Sequence, residues 1–195
     1  MADLISGGTP KTSEPNYWGG DVAWASAKDV SQCGESFLIE TDRSITQLGL
    51  DRSAAKVIDP FTTVIVARGA TTGRLTMFGL PIAMNQTCYA LRSKNDCHYF
   101  IYCHARQSIV NLVHAGHGSV FNTITTGTFK SSTVLVPDVQ ITKAFEQLIH
   151  PFFSQILKNQ HLSKSLAKLR DTLLPKLISG ELTIPNVEKL LEGIL

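Results

Sequence analysis

One-sided charge is missing from this sequence. Asp, Glu, Lys and Arg make up 17% of 195 residues, with 18 basic side chains against 16 acidic. A balance of +2 neither announces a nucleic-acid binder nor forbids one. The 43% apolar share is ordinary, which excludes a disordered chain. Long apolar runs are missing too: stretches such as TTVIVARGA fall far short of the roughly 20 residues that span a bilayer. The opening MADLISGGTP lacks a basic start followed by an apolar core, so no signal peptide is read. The expected compartment is the cytoplasm, with four Cys as reduced thiols. No internal repeat or low-complexity tract is present. The length suits one domain of about 100–200 residues plus an accessory element.

What is there divides by texture. Residues 1–137 carry 11 basic and 10 acidic side chains and 138–195 carry seven and six, so charge does not mark the boundary. The first part is rich in Gly, Thr, Ser and short β-branched runs; the second in Leu, Lys and Gln. The divide falls at Val134-Leu-Val-Pro137-Asp138, where Pro stops a ladder and Asp138 can cap a helix. The expected organisation is a mixed α/β domain over 1–137, a helical region over 138–182 and a tail over 183–195. Within the first, Thr62–Ala67 reads as the clearest buried strand. Leu75–Phe78, Thr87–Leu91, Ser132–Val136 and a short Val22–Trp24 are further strand candidates. Pro10, Pro15, Gly19 and Gly20 mark the start as loop, and Asp96–Leu112 suits a helix closed by Gly116.

Beyond the divide, helix is expected from about Thr142 to Ser179, with Gly180 as its stop. A heptad frame puts Phe145, Phe152, Asn159, Leu166 and Leu173 at a, and Leu148, Gln155, Leu162, Leu169 and Lys176 at d. Seven of these ten are apolar, a coiled-coil-like seam that needs a second helix, with Gln155 and Asn159 setting register mid-seam. Pro151 and Pro175 should each cost about 3 kcal/mol inside a helix, so a kink or break is expected at both.

Chemical motifs are few. Cys97-His98, Cys103-His104 and His114-Ala-Gly-His117 offer zinc-ligand types without zinc-ligand spacing. Gly69-Ala-Thr-Thr-Gly73-Arg74 lacks the Gly-Lys-Ser/Thr ending of a phosphate loop and reads as a tight turn. No Gly-x-Ser-x-Gly elbow exists, and Asp29 and Glu35 read as solvated loop charges. What remains is a scatter of hydrogen-bonding side chains at strand ends: Lys28, Arg68, Thr71, Thr72, Arg74, Asn85, Gln86, Asn122 and Lys130. Arg suits guanine edges and Asn or Gln adenine edges, whereas Lys and Thr more often hold phosphates.

Two stretches give that scatter a context. Gly7-Gly-Thr-Pro-Lys…Asn16-Tyr-Trp-Gly-Gly-Asp21-Val-Ala-Trp24-Ala-Ser resembles the opening of target-recognition domains in specificity (S) subunits of type I restriction–modification systems, with Ala23 where Pro is usual. Leu166-Ala-Lys-Leu-Arg-Asp-Thr-Leu-Leu-Pro-Lys-Leu-Ile-Ser-Gly-Glu-Leu182 resembles the conserved helical region of the same family. The Arg68-Gly69 turn and the Asn85-Gln86 pair also sit where the family commonly has such residues, and order and spacing agree over about 6–182.

The resemblance implies a non-catalytic subunit whose recognition domain reads half of a split sequence on double-stranded DNA through the major groove. Candidate base contacts are then Arg68, Arg74, Asn85 and Gln86; candidate phosphate contacts are Lys28, Thr71, Thr72 and Lys130. The helix would act as spacer and dock the methyltransferase (modification) subunits, which would bind S-adenosylmethionine, while this chain holds no cofactor and no metal. The motor-nuclease restriction subunit would join the full complex. Phe145, Leu148, Phe152, Leu162, Leu166, Leu169, Arg170 and Leu173 are the expected partner face, and the single helix implies a homodimer. One recognition domain and one spacer, starting close to the glycine motif, imply a half-size subunit, a truncated product, an expression fragment or the second half of a longer protein. The rival functions are a small metal-dependent nuclease or hydrolase using the His/Cys cluster, and a degenerate protein that only assembles.

Overall fold

The computed structural model describes residues 1–115, 123–131 and 135–183, with side chains over 1–109, 123–129 and 135–183. Nine strands are present among them: β1 (Ala2–Ser6), β2 (Trp18–Ala25), β3 (Phe37–Leu38), β4 (Arg43–Ile45), β5 (Val57–Ile58), β6 (Thr63–Val66), β7 (Leu75–Phe78), β8 (Ile82–Met84) and β9 (Cys88–Ser93). The helices are α1 (Ala27–Gln32), α2 (Gln47–Asp51), α3 (His98–Ala115), α4 (Thr126–Ser131) and α5 (Val139–Ile178). The chain divides into two compact units, Met1–Phe153 and Ser154–Leu195.

The strands form a five-stranded sheet, ordered β1-β9-β6-β7-β3, and a four-stranded sheet, ordered β4-β2-β8-β5. The TTVIVA run owes its unbroken β-branched character to burial on both faces. Val64 and Val66 enter a core with Val30, Phe78, Ile82, Met84 and Cys88. Ile65 enters another, with Ala67, Tyr89, Ala105 and Ile124, beneath α3. Strand β9 alternates in the same way, Cys88 and Ala90 to the first core and Tyr89 to the second. A third cluster, Trp24, Ile45, Ala55 and Ala83 with Trp18 and Leu50, covers the other side of the four-stranded sheet.

The opening is not all loop. β1 pairs with β9 from Ala2↔Ser93 to Ser6↔Tyr89, and Gly19–Gly20 lie inside β2. There the pairing with β4 shifts register between Trp18 and Val22, and Gly19 adopts φ +79°, a bulge that glycine permits. Asp29 is no free loop charge: it completes the capping box of α1, accepting from Ser26 N at 2.8 Å, and its other oxygen accepts from Asp42 N at 2.8 Å. Of the Ser132–Val136 candidate, 132–134 lie outside the described residues, and Leu135 and Val136 are not strand. Gly116 also lies outside them.

Helix α5 starts as its sequence predicts. Asp138 Oδ1 accepts from Gln140 N at 2.8 Å and Asp138 O from Thr142 N at 3.0 Å. Its first turns belong to the first unit. Phe153 is buried, stacked on Tyr99 at 4.6 Å and edge-on to Phe37 and Tyr102. Neither proline breaks the helix, which is assigned unbroken through Pro151 and Pro175. Gly180, at φ +74°, follows its end, as a left-handed cap should.

Candidate nucleic-acid interface

At one end of the first unit, three backbone hydrogen bonds bring separate loops together. Ala67 N donates to Thr87 O at 2.8 Å, Ile124 N to Ala67 O at 2.9 Å, and Asn85 N to Ala25 O at 3.0 Å. They gather the β6–β7 turn, the β8–β9 turn, the start of α1 and the segment before α4.

The β6–β7 turn is shaped by its own residues. Gly73 N donates to Val66 O at 2.9 Å, and Thr72 donates to Gly69 O from both its N, at 3.1 Å, and its hydroxyl, at 2.7 Å. Gly69 and Gly73 take φ of +97° and +92°, which L side chains rarely adopt. The turn leaves Arg68, Thr71 and Arg74 exposed. Asn85 builds the neighbouring turn, its Oδ1 accepting from Thr87 N at 3.2 Å and Thr87 Oγ1 at 2.7 Å. Gln86 is exposed, and its Oε1 accepts from Thr9 Oγ1.

The glycine motif supports this end sterically. A Cβ on Gly7 would stand 2.2 Å from Met84 O, and one on Gly8 2.4 Å from the Ala54 carbonyl carbon. Gly8 N donates to Met84 O at 2.9 Å, and Gly8 O accepts from Trp24 Nε1 at 3.0 Å. Trp24 in turn meets Trp18 edge-on at 5.1 Å, and Arg43 lies 3.5 Å over the Trp18 ring. The motif thereby fixes the N-terminal segment against the β8–β9 turn. Thr9, which sequence reasoning passed over, lies in that motif.

The eight predicted DNA contacts therefore differ in freedom. Among the described residues, Arg68 and Arg74 form no ion pair or side-chain hydrogen bond. Lys28, by contrast, contacts Asp42 at 2.8 Å, and that hydrogen bond and charge hold its amine above the ordinary lysine value. Thr72 and Asn85 are spent on turn geometry, Thr71 is exposed, and Gln86 is exposed with its Oε1 accepting from Thr9. Lys130 lies on α4, but its side chain is outside the described residues, as is Asn122.

The predicted partner face behaves differently from a core. Leu148 is 69% exposed, Phe152 62%, Leu162 58% and Leu166 56%; Leu169 and Leu173 are half-buried. Phe145 is half-buried, edge-on to Phe100, and Arg170 pairs with Asp171 at 2.7 Å. Gln155 Nε2 donates to Asn159 Oδ1 at 2.8 Å, so the mid-seam amides satisfy each other.

Among the described residues, no group of three or more His, Cys, Asp and Glu could hold a metal ion. Cys97 is buried ahead of α3, and His104 contacts Ser108 Oγ at 3.2 Å while stacking on Phe100. The side chains of His114 and His117 lie outside the described residues. No described helix is long and apolar enough to cross a membrane.

Residues 1–168 match the family model of the type I restriction modification DNA specificity domain. Over 186 residues the chain is 25% identical to the specificity subunit of the HindI type I restriction enzyme of Haemophilus influenzae, covering 93% of this chain and 40% of that protein. Over 93 residues it is 34% identical to the MjaIX specificity subunit of Methanocaldococcus jannaschii, covering 48% and 22%. The crystal structure of the type I S subunit from M. genitalium shares the fold at TM-score 0.62 and 14% identity, covering 91% of this chain and 43% of that one. The HsdS subunit of Thermoanaerobacter tengcongensis does so at 0.55 and 18%, covering 93% and 43%. The chain thus spans less than half the length of these relatives. With the match running through both the sheets and most of α5, the chain belongs to the type I restriction modification DNA specificity domain family.

Proposed function

We propose that this chain is a non-catalytic DNA-reading subunit of a type I restriction–modification complex, and that its gathered loops read a half-site in the major groove. The observation that carries this is the pair of uncommitted guanidinium groups, Arg68 and Arg74, on a glycine-shaped turn beside Gln86, in a member of a DNA specificity family. Arg forms two parallel hydrogen bonds with guanine and Gln two with adenine. Lys28, Thr71, Thr72 and Lys130 serve the backbone, and Asn85 holds its turn for Gln86. The methyltransferase subunits dock on α5, bind S-adenosylmethionine and methylate adenine; the motor-nuclease subunit joins them. The modest charge fits this division of labour, because few phosphate contacts give weak non-specific binding and partners closing around the duplex supply the rest. The complex works where the chromosome is, in the cytoplasm.

The test is co-expression with a cognate methyltransferase and mapping of methylated adenines across the host genome. A defined sequence that changes when Arg68, Arg74, Asn85 and Gln86 are replaced by Ala supports the reading. Each bidentate reader is worth about 1–3 kcal/mol of discrimination. An unchanged sequence in all four variants retires these base readers. Methyltransferase co-purification without any sequence-dependent methylation identifies an assembly-only protein.

A further inference from the structure

Beside the reading turn, the end of α1, the following loop and the middle of α3 enclose a polar cleft of about 320 Å³. Ser31, Glu35 and Ser36 line one side, Arg74 comes from the β6–β7 turn, and Arg106 comes from α3. We propose that this cleft binds one phosphate of the DNA backbone, held between Arg74 and Arg106, which moves Arg74 from base edge to backbone and leaves Arg68 and Gln86 as the base readers. This deepens the DNA-reading function and rests on it.

Several cations of the first unit already have partners: Lys28 has Asp42, Lys94 has Asp3, Lys11 has Glu14, and Arg43 has the Trp18 ring. Arg106 is exposed and, like Arg74, forms no ion pair or side-chain hydrogen bond among the described residues. Two planar donor forks on one cleft match the oxygens of a tetrahedral anion. Ser36 adds a neutral hydroxyl, a group that also holds phosphates, whereas the Ser31 hydroxyl donates to Lys28 O at 3.0 Å. Glu35 is the opposing charge, so two guanidinium groups outweigh one carboxylate. Arg74 belongs both to the cleft and to the turn that carries Arg68. A strand whose bases face that turn therefore passes its phosphates along the cleft.

A phosphate clamp strengthens binding to every sequence alike. The experiment measures fluorescence anisotropy of two duplexes of unrelated sequence with the full chain, from about 50 to 200 mM salt. Arg106→Ala should weaken both complexes by a similar factor, roughly tenfold, and reduce the salt slope by about one. Arg106→Lys should keep the slope, and Glu35→Gln should tighten both complexes. Both sites are exposed, so circular dichroism should report an unchanged fold. If Arg106→Ala and Glu35→Gln leave affinity and slope unaltered while Arg68→Ala weakens binding, the cleft is overturned and the reading turn stands. If Arg106→Ala alters one sequence only, Arg106 is a base reader and the clamp is overturned. Absence of binding by the unmodified chain even with its methyltransferase subunits added overturns both.

Discussion

At the scale of single residues, three positions carry sharp consequences. Thr63 begins the most buried strand, yet its hydroxyl is buried without a hydrogen-bond partner among the described residues. An unpaired buried hydroxyl costs about 1–3 kcal/mol, so Thr63→Val, which keeps the shape, should raise stability by about 1 kcal/mol in urea unfolding. A loss would show that the hydroxyl has a partner. Gly7 is the opposite case. Its missing Cβ would fall 2.2 Å from a carbonyl oxygen, so Gly7→Ala should cost about 3 kcal/mol, the upper end of overpacking. Cys88 is held by burial far above the ordinary thiol value, to about 12. Native protein at pH 8 should leave Cys88 unlabelled by maleimide until denaturant is added. Labelling of Cys88 at the rate of an exposed thiol would place it outside the core.

At the scale of elements, α5 shows what pattern reveals and hides. Its heptads, Asp138 cap and Gly180 stop were legible, because each depends on local chemistry. The unbroken passage through Pro151 was not: the proline cost is local, but the first turns are held by contacts to distant residues. Glu146 is one such contact, its carboxylate accepting from Tyr99 N at 3.3 Å and Phe100 N at 2.7 Å at the start of α3. Burial raises its pKa; those N–H groups and the nearby His98 and His150 oppose the rise without cancelling it. A carboxyl raised in the folded state stabilises fully below its unfolded value, and that contribution is lost as pH rises through the folded value. The stability of the natural chain relative to Glu146→Gln should therefore decline as pH rises above the ordinary value of 4.5. Urea midpoints at a series of pH values test this, and a constant difference refutes it. The same contrast of local and distant causes explains the strands. The TTVIVA run announces β6, whereas β3 and β5 have two residues each and exist through their sheet neighbours. β1, with Asp3 as its second residue, looks like a loop until β9 pairs with it.

At the scale of the whole molecule, the candidate DNA contacts could be picked out by residue type, but their grouping could not. Arg68 and Gln86 are brought together by the single hydrogen bond from Ala67 N to Thr87 O, whose backbone groups leave no trace in sequence. Arg106 was invisible for the same reason, since only the fold sets α3 beside Arg74. The apolar stripe was legible because periodicity survives without a partner, and its leucines and phenylalanine stand exposed. Burying a Leu or Phe side chain is worth about 1.5–3 kcal/mol, so an antiparallel pairing of two copies along this stripe has a strong drive. Two-fold symmetry in the protein would then demand an inverted repeat in the DNA. Sedimentation at micromolar concentration should show a dimer, and replacing Leu162 and Leu166 together by Ser should shift it to monomer while the first unit's circular dichroism persists. The same double variant should abolish methylation of a gapped inverted repeat while any residual methylation keeps the half-site sequence, because the loops proposed to choose bases lie in the other unit. A strict monomer in the natural chain, together with an asymmetric methylated site, would assign the stripe to a helix of another protein.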